Sequence, residues 1–307
     1  MKTRYLFAAL AICLALGLTS CAKRQSTSTG KKPYRVGVTL LTKSLPFYQE
    51  MEAAMRETAA KNNIELNVQS AEFDMSNQQA QIENFITQKM DALIVCPVDS
   101  DTIGGAIKEA NKAGIPVFTA DISANSGDVV CHIASDNIMG GRLAGEYMAK
   151  LLKGKGRIVI LDHPKVMSVR DRTKGFAEAI SKYPGIKITG RPPADGERVK
   201  AMDVMETVLH SQMACNGVFA INDSTALGAL AAIRQAQSKG IVMVGYDGDP
   251  EARAEILKGG PLKADVVQYP REIGSTTIEM IAKHLAGQQV PKKVPVKVGI
   301  FDKTSKQ

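Results

Sequence analysis

The sequence predicts an α/β protein of two doubly wound lobes, each built on a parallel sheet. Three observations point there. Short runs rich in Val and Ile alternate with longer stretches whose apolar residues recur at helical spacing, from about residue 34 to the C-terminus. Several of the short runs are apolar throughout, as strands are when helices cover both faces of a parallel sheet. At 307 residues the chain also reaches the size, roughly 250 to 300 residues, at which one core stops growing and chains divide.

At the N-terminus, Lys2 and Arg4 precede an almost wholly apolar run from Leu6 to Leu18, closed by the small residues Thr19 and Ser20. This is the pattern of a secretory signal peptide, 1–20, too short and wrongly flanked for a stable membrane span. The tetrapeptide "LTSC" resembles the bacterial lipoprotein box. That resemblance implies lipid attachment at Cys21 and cleavage just before it, so that an acyl anchor holds the chain at a membrane. Residues 21–33, "CAKRQSTSTGKKP", are small, polar and charged and suit a flexible tether. The folded body is expected from Tyr34.

The elements then follow in order. "RVGVTLL" reads as a strand and "FYQEMEAAMRETAAKNN" as a helix; "IELNVQS" is a strand and "NQQAQIENFITQKM" a helix. "DALIVCP", "IPVFTA" and "VVCHIAS" are strands bounded by Gly, Pro, Asp or Asn, and "MGGRLAGEYMAKLLKG" is a helix. "RIVILD", "IKITG" and "GVFAIN" are strands before the helix "STALGALAAIRQAQSKG", and "IVMVGYD" and "KADVVQ" are the last strands.

Run after run ends on Asp or Asn: Asp99, Asp121, Asp162, Asn222 with Asp223, and Asp247. In an open parallel sheet, ligands bind outside the carboxyl ends of the strands, where these residues fall. Helix capping accounts for some of them, with Asp99 and Asp223 the first candidates.

Enzyme chemistry finds little support. His132, His163, His210 and His284 are scattered without a metal or catalytic spacing, and each reads as structural. No GxSxG and no phosphate loop occurs, and "DSDTIGGAIKEA" has Ala110 where a calcium loop needs its bidentate Glu. The formal charge of +8 is spread among carboxylates, so no nucleic-acid partner is expected. Cys96, Cys131 and Cys215 have no zinc spacing and read as buried thiols, although an exported chain permits one bridge, Cys96 with Cys131 being the pair to check. No cofactor and no metal is expected. An exported α/β chain with polar strand ends and no nucleophile points to binding rather than turnover.

The stretches "CHIASDNIMGGRLAGEYMAK", "SVRDRTKGF", "VFAINDSTALGAL" and "VGYDGDP" resemble the periplasmic ribose-binding proteins, type I sugar-binding subunits of bacterial ABC importers. The resemblance runs from Tyr34 to the C-terminus. It implies a periplasmic binding protein type I fold: one lobe from 34–135 plus 269–296, another from 136–268 plus 297–307, and a three-segment hinge. The lac-repressor family shares this core but carries an N-terminal helix-turn-helix, where this chain has a signal sequence.

By the same resemblance, Phe47 and Tyr48 stack on a sugar ring, whose C–H face is apolar. Asp121 and Asp247 accept from hydroxyls, Arg170 donates to sugar oxygens while Arg172 serves an internal ion pair, and Asn222 and Gln268 do both. Tyr246 takes the place of the aromatic beside Asp247. Three positions depart from the ribose pattern: Leu45 stands for an asparagine, Ile122 for an arginine and Gly196 for an aromatic. Loss of the arginine removes charge-assisted bonds of about 1.5 to 3 kcal/mol each, so a monosaccharide other than ribose, or a polyol, is expected. Lys43 or Ser44 is the candidate to replace the lost donor. The implied partners are that ligand and an ABC importer permease, with the chain a monomer in the periplasm or at the outer face of the cytoplasmic membrane. The alternative keeps the fold but makes it a sensor read by a chemoreceptor or histidine kinase.

Overall fold

The computed structural model describes residues 32–305 apart from 212 and 214. The signal peptide, Cys21 and most of the tether lie outside the described residues. In chain order the elements are β1 (Tyr34–Leu40), α1 (Pro46–Lys61), β2 (Ile64–Ser70), α2 (Met75–Thr87), β3 (Ala92–Val95), α3 (Gly104–Lys112), β4 (Val117–Ala120), β5 (Val129–Ser135) and α4 (Asn137–Leu151). There follow β6 (Lys155–Leu161), α5 (Met167–Ile180), β7 (Gly185–Gly190), α6 (Arg198–His210), β8 (Gly217–Ala220), α7 (Asp223–Gln235), β9 (Val242–Asp247), α8 (Pro250–Lys258), β10 (Leu262–Val267), α9 (Pro270–Leu285), β11 (Lys293–Val296) and β12 (Gly299–Asp302).

Two sheets result, ordered β11-β5-β4-β3-β1-β2 and β12-β10-β9-β8-β6-β7. All pairings are parallel except β12 with β10. In each sheet the winding reverses once, between β1 and β3 and between β6 and β8, which opens a crevice at the strand carboxyl ends. Strand β3 shows why its run is apolar throughout: Ala92 and Ile94 pack with residues of α1, while Leu93 and Val95 pack with those of α2 and α3.

The chain passes between the sheets three times: from β5 to α4 at Asp136, from β10 to α9 at Gln268 and Tyr269, and from β11 to β12 at Lys297 and Val298. The last two strands are absent from the reading above. "KVPV" carries Pro295, which removes a ladder donor and weakens the strand signal; β11 tolerates it as the edge of its sheet. Cys96, Cys131 and Cys215 are all free thiols, so the Cys96–Cys131 bridge does not form.

Helices α4 and α5 meet at backbone contact, which sets the position of the residues between them. A Cβ on Gly141 would lie 2.0 Å from the Arg172 carbonyl oxygen, and one on Gly175 would lie 2.1 Å from that of Ile138. No larger residue permits this crossing.

Candidate functional site

Where the strand ends of the two sheets face each other lies a cavity lined from both lobes. The first lobe lines it with Leu41, Leu45, Phe47, Tyr48, Phe73, Asp121 and Ile122. The second contributes His163, Val166, Ser168, Val169, Arg172, Gly196, Ile221, Asn222 and Asp247, and Gln268 lines it from a crossing segment.

The first wall is largely apolar. Pro46 opens α1, where its missing N–H costs nothing, and Phe47 and Tyr48 follow as an edge-to-face pair with centroids 5.2 Å apart. The Tyr48 hydroxyl donates to Asp121 Oδ2 at 2.7 Å. Burial, and then the Asp121 charge, push its pKa well above the usual phenol value, so it stays a donor. Asp121 follows β4 at φ +63°, a left-handed conformation that Asp tolerates. Its Oδ1 is buried without a hydrogen-bond partner, and burial raises its pKa against the pull of Arg172.

The second wall is polar. Asp247 ends β9 at φ 127°, a conformation that costs an L residue about 1–3 kcal/mol and persists only where its surroundings hold it. Gln268 Nε2 does so by donating to Asp247 Oδ1 at 2.7 Å, while Gln268 Oε1 is left buried and unpartnered. Burial raises the Asp247 pKa well above normal. Arg172 sits in direct apposition: its Nη1 lies 3.9 Å from Asp247 Oδ1 and donates to the Ile221 carbonyl at 2.8 Å, and its Nε donates to Asn137 Oδ1 at 2.8 Å. Asn222 caps α7 by accepting from the Thr225 N–H and holds the Gly196 carbonyl through Nδ2 at 3.1 Å.

The cavity thus lies between two doubly wound lobes, with a ring-bearing wall on one side and Arg172, Asn222 and Asp247 on the other. The family model described as "Periplasmic binding protein domain" matches residues 36–289. The chain belongs to this periplasmic binding protein family. It is 33% identical over 290 residues to the ribose import binding protein RbsB of Salmonella typhimurium, covering 94% of this chain and 95% of the relative. It is 36% identical over 253 residues to a xylitol-binding protein of Mycolicibacterium smegmatis, covering 82% and 72%. Among solved structures, an ABC transporter solute-binding protein of Bacillus halodurans with bound myo-inositol superposes with a TM-score of 0.81 at 29% identity, covering 90% of this chain and 96% of that one. The family is one of solute binders in the cell envelope, not of enzymes. Among the described residues no helix is long and apolar enough to cross a membrane.

Within this binding protein, Phe47, Tyr48, Asp121, Asn222, Asp247 and Gln268 all line the cavity, as do Leu45, Ile122 and Gly196. Arg170 does not. Its guanidinium is drawn to Asp101 Oδ2 at 2.6 Å, outside the cavity, and Arg172 lines the cavity instead. Tyr246 is also displaced: it is fully buried, and its ring lies 4.0 Å beneath the Arg172 guanidinium rather than against the cavity. Neighbouring residues of a strand point to opposite faces, so Tyr246 supports the arginine from behind while Asp247 faces forward. Lys43 binds Glu52 and Ser44 binds Thr42, so neither replaces the missing donor. Asn222, not Asp223, caps α7; Asp223 accepts from the Asp249 N–H at 2.6 Å. Asp99 accepts from the N–H groups of Asp101 and Thr102, as a capping residue does.

Phe73, His163 and Ser168 are among the lining residues that the sequence reading does not name as site residues. Phe73 sits in the loop after β2 at φ +61°, a rare conformation for a bulky residue, and adds a third ring to the first wall. Loops have no period, so the sequence does not say which way such side chains turn.

Proposed function

We propose that this chain is an extracytoplasmic solute-binding protein that captures a monosaccharide or polyol between its lobes and delivers it to an ABC importer permease. One observation carries the reading. Asp121 Oδ1 and Gln268 Oε1 are buried acceptors without partners, and both residues line the one ring-bearing cavity. A polyhydroxylated ligand supplies the missing donors and lays its apolar C–H face on Phe47. Ligand touching both lobes favours the closed form, the shape a permease reads. The lobes comprise 34–135 with 269–296 and 136–268 with 297–307, the three crossings acting as hinge. Cys21 carries the lipid and the tether lets a monomer deliver cargo at the membrane; no cofactor takes part.

With Ile122 and Leu45 making the first wall more apolar than the ribose pattern, ribose is not the preferred cargo. A thermal-shift screen of the chain from Ala22 against pentoses, hexoses, deoxy sugars and polyols tests this, followed by calorimetry. A true ligand at 100 times its dissociation constant stabilises by about 2.7 kcal/mol. Absence of any shift across the panel overturns the proposal, and a shift with ribose above all others overturns the specificity reading.

A further inference from the structure

His163 stands apart from the other histidines of the described residues. It follows β6, its backbone N–H donates to Asp162 Oδ1 at 2.8 Å, and the residue lines the cavity. The residue is 5% exposed, and its ring makes no hydrogen bond among the described residues. By contrast, His132 Nδ1 is bonded to Thr119 Oγ1 at 2.8 Å and His284 packs edge-on against Phe118, as structural histidines do. A neutral imidazole carries one donor and one acceptor, and here neither is spent on a protein partner, so both are open to a ligand in the cavity.

Across from the ring lies Gly196. Its φ of +77° is one that L side chains rarely adopt, and a Cβ there would stand 3.5 Å from His163 Nδ1 and 3.3 Å from Asn222 Nδ2. Glycine therefore leaves free the volume that an aromatic at this position would fill, and the imidazole borders it. Building on the sugar-binding reading above, we propose that His163 is a specificity-determining residue that contacts the ligand, its imidazole exchanging hydrogen bonds with one hydroxyl directed at the second lobe.

Burial holds this histidine neutral, with a pKa lowered to about 4; Asp195 pulls it upward, while Lys165, Lys200 and Arg172 add to the lowering. Both the donor and the acceptor are thus present at neutral pH. An aromatic ring reads the apolar face of a sugar, whereas an imidazole edge reads one oriented hydroxyl. A ligand lacking that hydroxyl leaves the ring nitrogens unpaired and is rejected far more strongly than a stacking surface would reject it.

Calorimetry of the unaltered protein, His163→Gln and His163→Phe with D-ribose, D-allose, myo-inositol and xylitol tests the assignment. For the tightest binder, His163→Phe weakens affinity tenfold or more and changes the order of preference, while His163→Gln, which keeps a donor and an acceptor, stays within about threefold. Unchanged affinity and order in His163→Phe overturns the role of His163 while leaving sugar binding intact. Failure of the unaltered protein to bind any of the four overturns both readings. A measurement that needs no variant is the imidazole nitrogen spectrum of the unaltered protein: saturation with the tightest binder moves the His163 signals and leaves those of His132 in place, and an unmoved His163 refutes the contact.

Discussion

Arg170 and Asp101 join the two lobes outside the cavity, with Nη2 2.6 Å from Oδ2 and Nη1 3.2 Å from Oδ1. Asn125 donates to the same carboxylate. Beside it, the Ser100 N–H donates to the Lys165 carbonyl at 3.0 Å, and Ser100 Oγ accepts from the Met167 N–H at 2.9 Å. These bonds tie the loop after β3 to the start of α5, and none of these groups except the neighbouring α5 backbone approaches the cavity wall.

Arg170→Ala therefore loosens closure without altering recognition. Because the pair is partly exposed and screened, affinity for every ligand falls by one common factor of roughly two to five, mostly through faster release. Stopped-flow release rates for two ligands check this; a change in their ratio would return Arg170 to the binding surface.

Arg172→Ala has the opposite signature. It leaves Asp247 buried without its nearest guanidinium, strips the Tyr246 face and frees the Ile221 carbonyl, a loss of about 3 kcal/mol or more. Ligand binding is abolished and the melting temperature falls by several degrees. Arg172→Lys keeps the charge but not the planar fork, and restores less than half of the lost affinity on a free-energy scale. Full restoration would reduce the role of Arg172 to that of a point charge.

Phe73 separates function from stability. Phe73→Gly relieves a bulky residue at φ +61° while removing a ring from the first wall. The unliganded protein keeps its stability to within about 1 kcal/mol, and sugar affinity drops about tenfold. Denaturant unfolding paired with calorimetry reads both quantities, and undiminished affinity would remove Phe73 from the site.

A buried acidic pair predicts a pH dependence of stability. Asp223 Oδ1 and both oxygens of Asp265 have no partner, and a Cβ on Gly245 would stand 3.2 Å from the first and 3.0 Å from Asp265 Oδ1. Burial raises both pKa values, that of Asp265 to about 7; Asp265 opposes ionisation of Asp223, Asp223 pulls that of Asp265 down, and Asp249 raises both. A raised folded pKa means that the folded state holds more protons than the unfolded chain between about pH 4 and 7. Stability from this pair is full below that window and lost as pH rises through about 7. Asp265→Asn, whose amide donates without titrating, flattens the melting temperature between pH 5 and 8 and exceeds the unaltered protein at pH 8. An unchanged pH profile would show that the pair does not share a proton.

The sequence by itself determined the alternation of strands and helices, and with it the two lobes and the cavity at their strand ends. It also marked Asp121, Asn222 and Asp247, because a strand's end and its two-residue period are local properties. Which arginine faces the cavity was decided only by the tertiary structure. Arg170 and Arg172 stand two residues apart on α5, about 200° around the helix, so one of them must turn away. The backbone contact at Gly141 and Gly175 sets the rotation of α5 that sends Arg172 inward and leaves Arg170 to Asp101. Phe73 and His163 belong to loops, where no period governs direction; Phe73 sits on a left-handed backbone, and the His163 backbone is tied to Asp162.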